Sequence, residues 1–549
     1  MSKMRKFIVA GLLALTSLAL IGVARNPDIY FLIKKNFTIF SEVYRTVSLE
    51  YVDEVDPEKL MRKGIDAMLE SLDPYTVMVD EAQQQNMEII SRGSYGGVGL
   101  DVGFRGGQIV VVAPIEGYSA HRKGIRAGDI IKKVDGVLVD NLMPEEVQGL
   151  IDGELGSTVT LTIKRYGIEP PIKFELERQR IEVRNVGYAG LVGDTKNIGY
   201  ILLNRFSQGT ADEVRKTIED LTTSKQLRGI ILDLRNNPGG LLEEAVGIVD
   251  KFIPQNQMVV ETRGRQSKHN NIFSTKETPI LPDIPLVVLQ NGGSASASEI
   301  VAGALQDYDR AVIMGEQSFG KGLVQTVTQL SYNTALKMTI SRYYIPSGRS
   351  IQSITYTHDD KNSAVLKPDS LRKEYKTRNG RTVYDGNGIA PDIEVNDKEP
   401  SLLETSLLRE NLFFDFANRY ASTHDRLSKS FGSDDLYDEF TAYVSGKNFE
   451  YQTTSEKYLA KIDSLLNGKE GEGKEHIQEL EKVINGKKKQ QFARKRSDLE
   501  KRLYLELIAR YKGRQGQTAA WLPHDKAVND AISVLQNKEQ YNSILAGSN

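Results

Sequence analysis

"PLVVLQNGGSASASEIVAGALQDY" (Pro285–Tyr308) passes from a strand pattern to a helix pattern within a few residues. The apolar run Leu286–Leu289 reads as a strand, and after the Gly292–Gly293 pair the small and apolar residues from Ala295 to Leu305 read as a helix. Ser294, Ser296 and Ser298 fall at the junction, two residues apart and just before Glu299. A serine hydroxyl is a weak nucleophile at neutral pH. If one of the three is catalytic, a base must lie within hydrogen-bond reach.

The same alternation continues on both sides of the junction. "NIGYILLN", "TADEVRKTIEDLTT", "LRGIILDLR", "LLEEAVGIVDKFI" and "RAVIMG" follow one another between about Pro170 and Val395. Strands alternating with helices predict a mostly parallel sheet covered by helices. Upstream, from Ser91 to about Gly167, short β-branched runs divided by glycine turns predict a small β-rich module, with one helical piece at "MPEEVQGLI". Further upstream, Ile29 to about Glu88 has helical spacing, with Asp56-Pro57 as a helix start. After Ser401 the chain turns long-helical and charge-rich to its end. There the basic run Lys487–Arg496 reads as a solvated helix face.

A chain of 549 residues predicts several domains, and its 40% hydrophobic and 26% charged content is that of a folded protein. The net charge of −2 gives no reason to expect a nucleic-acid partner. The absence of cysteine excludes thiol catalysis, disulfides, thiolate zinc sites and a lipid-modified cysteine anchor. At the amino terminus, Lys3, Arg5 and Lys6 precede the apolar run Phe7–Val23. This pattern predicts a secretory signal over residues 1–25, either cleaved or kept as a membrane anchor, with the rest of the chain outside the cytoplasm.

The six histidines, His121, His269, His358, His424, His476 and His524, all lie outside the segment that holds the serines, and no two have the i, i+4 spacing of a zinc helix. The G-x-S-x-G elbow is absent as well. A different base stands downstream, in "GEQSFGKGLVQT" (Gly315–Thr326), where Lys321 lies between two glycines and Gln325 follows four residues later. Burial in an apolar site can lower a lysine pKa by several units, and the neutral amine can then take the serine proton. Gln325 could orient that amine. Read alone, a Gly-Lys-Gly turn is a surface feature.

The order "LDLRNNPGGLL" (Leu232–Leu242), the junction with "GEQSFGKGLVQT", and "YYIPSGRSIQ" (Tyr343–Gln352) resembles the carboxy-terminal processing peptidases, or tail-specific proteases. The resemblance runs from about Phe40 to Val395 and includes "ESLDPYT" (Glu70–Thr76) and "YGGVGL" (Tyr95–Leu100). It implies a Ser-Lys serine endopeptidase with Ser296 as nucleophile, Lys321 as general base and Gln325 as the third member, needing no metal or cofactor. It also implies a multidomain α/β chain: a ClpP/crotonase-like protease core over 169–398, a β-rich PDZ domain over 91–168, an N-terminal helical segment over 26–90 and a helical extension over 399–549. Ser296 with Glu299 also forms S-x-x-E, a capping box, and a helix start there favours negative charge on the attacking oxygen. The flanking serines take structural roles. Oxyanion donors are expected from the N–H of Ala297 and from either Gly239 or Gly240. Asp307 and Glu316 are expected to support the fold.

Gly97-Val98-Gly99-Leu100 is similar to the PDZ carboxylate loop, whose backbone N–H groups can hold a terminal carboxylate. Leu100 and Val102 would line the pocket for an apolar last side chain. The expected partners are protein substrates with free apolar C-termini, with a homo-oligomer and an adaptor on the helical extension as further expectations. Two other classes remain open: a non-catalytic PDZ scaffold, and an esterase with the same acyl chemistry. Joint retention of Ser296, Lys321 and Gln325 speaks against the first, and a peptide-selecting module against the second.

Overall fold

The computed structural model describes residues 29–80, 93–182, 184–356, 364–396, 400–427, 434–465 and 472–547. The signal-like residues 1–25 lie outside the described residues, as do 81–92 of the expected helical stretch. Among the described residues no helix is long and apolar enough to cross a membrane.

Helix α1 (Ile29–Glu50) has no buried residue. Helix α2 (Pro57–Glu70) starts where Asp56 accepts the N–H groups of Glu58 and Lys59, with Pro57 in the first turn. The helical texture expected to reach Glu88 stops at Glu70. Val77–Val79 instead forms a short strand paired antiparallel with Ala335–Lys337. A distant partner strand decided this segment, because three β-branched or flexible apolar residues fit a sheet edge as readily as a helix.

The β-rich module is a six-stranded antiparallel sheet with β1 (Leu100–Arg105) at its edge and α3 (Pro144–Ile151) as its longer helix. Its last strand, Ile172–Glu177, pairs with Thr158–Lys164 and buries Leu176 in the module's core, so the module runs past the expected boundary at residue 168. Val98, Leu100, Val111, Ile131, Val147 and Leu161 belong to its separate core. The module's β1 turn rests on the C-terminal helices, where the Phe414 ring lies between two guanidinium groups. Arg105 is 4.9 Å and Arg510 4.4 Å from its centroid, and Arg514 pairs with Asp101.

The central sheet has the order β2 (Val186–Val192), β3 (Ile198–Leu203), β4 (Gly229–Asp233), β5 (Leu286–Gln290), followed by Val312–Gly315 and Ile393–Glu394. Only β2 is antiparallel to its neighbour. Every residue of β4 and β5 is buried, as expected for strands covered on both faces. One face carries helices Thr210–Ser224, Leu242–Val249 and α4 (Ala297–Asp307). All eleven residues of α4 are buried. Its small residues allow this: a Cβ on Gly303 would lie 2.7 Å from Ile345 Cδ1 and 2.8 Å from Ile389 Cδ1.

Beside this sheet stands a second one, in which β6 (Leu323–Gln329) and β7 (Ala335–Tyr344) form a hairpin. The chain then builds a helical bundle that includes α5 (Leu412–Thr423) and α6 (Arg496–Trp521, broken at Gly513 with φ 62°). The last two helices, α7 (Lys526–Gln536) and α8 (Lys538–Ala546), return to the central sheet and cover its other face. Val528, Ala531, Val534, Leu535, Tyr541 and Leu545 pack there on Ile231, Val287, Leu289 and Val312. Fully burying each large apolar side chain stabilises by roughly 1.5–3 kcal/mol. The Tyr541 hydroxyl adds a bond to the Leu286 carbonyl at 3.2 Å and accepts the Leu286 N–H at 3.0 Å.

Candidate active site

Three connections leave the carboxyl ends of the parallel strands on the same side of the sheet, where open α/β sheets place their ligand sites. Asn236–Gly240 follows β4, Asn291–Ser296 follows β5, and Glu316–Lys321 follows Val312–Gly315. Ser296 ends the second of these at the start of α4. Its φ of 57° and ψ of −112° lie outside the common regions for a residue with a side chain. Such a conformation costs about 1–3 kcal/mol and persists only where its surroundings hold it. Here the Ser296 N–H donates to Glu299 Oε2 at 2.8 Å, and the Tyr343 hydroxyl donates to the Ser296 carbonyl at 3.2 Å.

The three serines are not equivalent. Ser294 Oγ donates to the Leu234 carbonyl at 2.8 Å, and Ser298 Oγ to the Asn237 carbonyl at 2.9 Å. Both are buried, whereas Ser296 is half-buried and its side chain makes no capping bond. Two hydroxyls thus tie the serine turn to the segment after β4, at Leu234 and at Asn237, and the Ser296 hydroxyl is not used in this way.

Lys321 is half-buried, and its Nζ sits 4.6 Å from the centre of the Tyr75 ring. Burial lowers its pKa from the ordinary lysine value, and the nearby cation of Lys337 adds to the effect. The carboxylates of Glu299 and Asp73 oppose it. Among the described residues, no hydrogen bond joins Lys321 Nζ to Ser296 Oγ; the amine rests on the aromatic face. Gln325, on β6, donates from Nε2 to Thr339 Oγ1 at 3.2 Å, and makes no bond to Lys321.

Gly239 (φ 95°) lies against the serine turn: a Cβ there would stand 2.8 Å from the Ala297 N and 2.9 Å from Ser296 Cβ. Its N–H is donated to Asn237 Oδ1 at 3.0 Å. The N–H groups of Gly240 and Ala297 have no acceptor among the described residues.

At the other candidate site, β1 pairs only with Gln108–Pro114, and its outer edge has no strand partner among the described residues. Leu100 is buried and Val102 half-buried. The carbonyls of Val98 and Gly99 accept bonds from Ala120 and Ile115, at 3.0 and 2.8 Å. The N–H groups of Val98 and Gly99 are unengaged among the described residues. A Cβ on Gly97 would come within 2.8 Å of Asp152 Oδ1, and burial pushes the pKa of that carboxyl up to about 7.

Residues 197–361 match peptidase family S41, residues 110–165 a PDZ domain, and residues 403–535 the C-terminal helical domain of a probable PDZ-protease. The carboxy-terminal-processing protease of Bartonella bacilliformis is 39% identical over 373 residues, spanning 67% of this chain and 84% of that protein. The chain belongs to peptidase family S41. A probable CtpA-like serine protease of Staphylococcus aureus is 34% identical over 324 residues, covering 58% of this S41 peptidase and 62% of the relative. The solved photosystem II D1 C-terminal processing protease is 28% identical, with a TM-score of 0.35, covering 68% of this chain and 95% of that one. The PDZ match begins downstream of Gly97–Val102.

Three residues around Ser296 and Lys321 were not assigned a part there from sequence. Glu299, read only as half of a capping box, is fully buried and accepts four bonds: from Ser318 Oγ (2.6 Å), Gly320 N–H (2.6 Å), Ser296 N–H (2.8 Å) and Lys321 N–H (2.9 Å). Burial pushes its pKa up to about 7 in spite of these donors. Tyr343, also buried, donates its hydroxyl to the carbonyls of both Ser296 and Lys321. Tyr75 carries the lysine amine. It is held there by Asp73, which accepts the N–H groups of Tyr75 and Thr76, while Thr76 Oγ1 accepts the Thr339 N–H. The signals were "S-x-x-E" and "DPYT", but neither names its long-range partner. Asp307, expected to support the fold, forms a buried ion pair with Arg349 at 2.9 Å. Glu316 presents its backbone carbonyl to Gln290 Nε2 at 2.9 Å.

Proposed function

We propose that the chain is an exported serine endopeptidase that recognises C-terminal tails through its PDZ domain and cleaves by a Ser-Lys mechanism. The observation that carries this reading is the Glu299 carboxylate, which gathers the backbones of Ser296 and Lys321 beside a strained, half-buried serine hydroxyl. The neutral Lys321 amine leaves the Tyr75 ring and takes the Ser296 hydroxyl proton as Oγ bonds to the scissile carbonyl carbon. The tetrahedral oxyanion is held by N–H groups of Ala297 and Gly240, which have no other acceptor among the described residues. Collapse breaks the C–N bond, and Lys321 returns the proton to the leaving amine. Water then attacks the acyl-enzyme with Lys321 again the base, releasing the new carboxyl terminus and restoring Ser296. Gln325 fills the third position of the site by exchanging Thr339 for the lysine amine.

Substrate entry follows from β1. A peptide pairing with its free edge would bring its terminal carboxylate to the N–H groups of Val98 and Gly99, and its apolar last side chain to Leu100 and Val102. Tail binding both recruits substrate and opens the site. The core takes the ClpP/crotonase-like arrangement, preceded by the helical segment 26–90 and the β-rich module and followed by the extension 399–549. The basic, apolar amino terminus supports export to the periplasm, or its equivalent, with the signal cleaved or kept as an anchor. Homo-oligomerisation and adaptor docking on residues 399–549 belong to the same proposal.

The test compares wild type with Ser296→Ala and Lys321→Ala on an unfolded protein that ends in an apolar tail. Both variants should be inactive while folded, and cleavage by either one sinks the mechanism.

A further inference from the structure

The end of the chain meets the active-site turns through one buried charged cluster. Arg235 follows β4 and opens the Asn236–Gly240 turn. Its guanidinium is shared by two carboxylates far apart in sequence: Nη2 is 2.5 Å from Asp233 Oδ2 and 2.8 Å from Asp525 Oδ2, and Nη1 is 3.2 Å from Asp525 Oδ1. Such two-point pairing fixes direction as well as distance. Asp525 is itself held: it caps α7 by accepting the Val528 N–H at 3.2 Å, and it accepts Trp521 Nε1–H at 3.0 Å. Asp233 accepts the Tyr200 hydroxyl at 2.8 Å and the Arg235 N–H at 3.0 Å. Both carboxylates are buried.

Beyond Arg235 the turn is bonded directly to the nucleophile turn. The Asn236 N–H donates to Asn291 Oδ1 at 2.9 Å, and Asn291 Nδ2 donates back to Asn236 Oδ1 at 3.0 Å. The Asn237 carbonyl accepts the Ala295 N–H at 3.0 Å and Ser298 Oγ at 2.9 Å. Gly239 then lies against Ser296. A displacement of Arg235 would move the oxyanion donors relative to the reacting hydroxyl.

We infer that Asp525 is a positioning residue for the peptidase reaction, acting through Arg235 to hold the Asn236–Gly240 turn in place against Ser296. The inference rests on the assignment of Ser296 proposed above. It makes the returning C-terminal helices a support of the active site as well as a cover for the sheet. Positioning and folding can be separated here, because two carboxylates face a single guanidinium. Asp525→Asn leaves Arg235 and Asp233 as a charge-balanced pair, and asparagine remains a good helix cap.

The experiment uses the full chain and an apolar-tailed peptide, comparing wild type, Ser296→Ala, Asp525→Asn and Val534→Ala. Val534 lies on the same helix, in the apolar layer against the sheet. Asp525→Asn should lower kcat by about tenfold or more with little change in KM, since misplacement by about 1 Å can cost about 10²-fold. Val534→Ala should lower Tm at least as much while keeping kcat. An unchanged kcat in Asp525→Asn overturns the inference. So does a loss of kcat that tracks Tm in both helix variants. Activity that survives in Ser296→Ala overturns the serine assignment as well, and that variant alone reveals it.

Discussion

Ser296 and Lys321 donate their backbone N–H groups to the same atom, Glu299 Oε2, at 2.8 and 2.9 Å. The serine turn and the lysine turn therefore cannot move apart without breaking a bond to a buried carboxylate. Glutamine at position 299 would present an N–H2 group to two of the four donors that now find oxygen. Each buried donor left without an acceptor costs about 1–3 kcal/mol. Glu299→Gln should lower Tm and reduce kcat/KM by about tenfold or more; wild-type kcat/KM would show that the shared oxygen does not set the site's geometry.

The same carboxyl makes a pH signature. Its folded pKa of about 7 lies above the ordinary 4.5, so the folded state holds the proton more tightly. Its contribution to stability is complete below pH 4.5 and is lost as pH rises through about 7. Denaturant unfolding between those limits should show wild type losing stability with rising pH more steeply than Glu299→Gln. Parallel slopes would exclude the linkage.

Lys321 predicts the form of the rate profile. Because burial and Lys337 lower its pKa, kcat/KM should rise with pH through an ionisation below 10.5. Lys337→Gln removes the neighbouring positive charge and should move that ionisation upward. A midpoint that stays fixed in Lys337→Gln would show that another group is being titrated.

The Asp307–Arg349 pair is buried on both sides. Removing one member leaves a charge without its partner, at a cost of about 3–5 kcal/mol. Asp307→Ala should lower Tm sharply, and the double variant with Arg349→Met should recover part of the loss. Equal Tm in the two would argue against an unpaired charge as the cause.

Gly99 has φ 75°, and a Cβ there would meet Tyr118 Cβ at 2.5 Å. Gly99→Ala should distort the loop proposed to offer its N–H groups to a tail carboxylate. The ratio of kcat/KM for a free-acid substrate over its C-terminal amide should fall towards one. A preserved ratio would move tail recognition elsewhere.

Several parts of this protein were legible without coordinates because their signals are local. The strand-to-helix turn at Pro285–Tyr308, the β-rich module and the helical end follow from hydrophobic spacing and glycine punctuation, which act within a few residues. Motif order carried the family assignment in the same way. The short strand Val77–Val79 was read as helix because its partner lies more than 250 residues away.

What the sequence by itself determined is which chemical groups are available: one serine–lysine pairing without a suitably placed histidine, no thiol, and a glycine loop before an apolar strand. Only the tertiary structure decided how they are held. Glu299 joins the two turns, Tyr75 carries the lysine amine, Gln325 is turned to Thr339, and Asp525 reaches Arg235 across 290 residues. The reason is physical. Burial makes a carboxylate take whatever donors fold around it, and no local pattern records which distant N–H groups those will be.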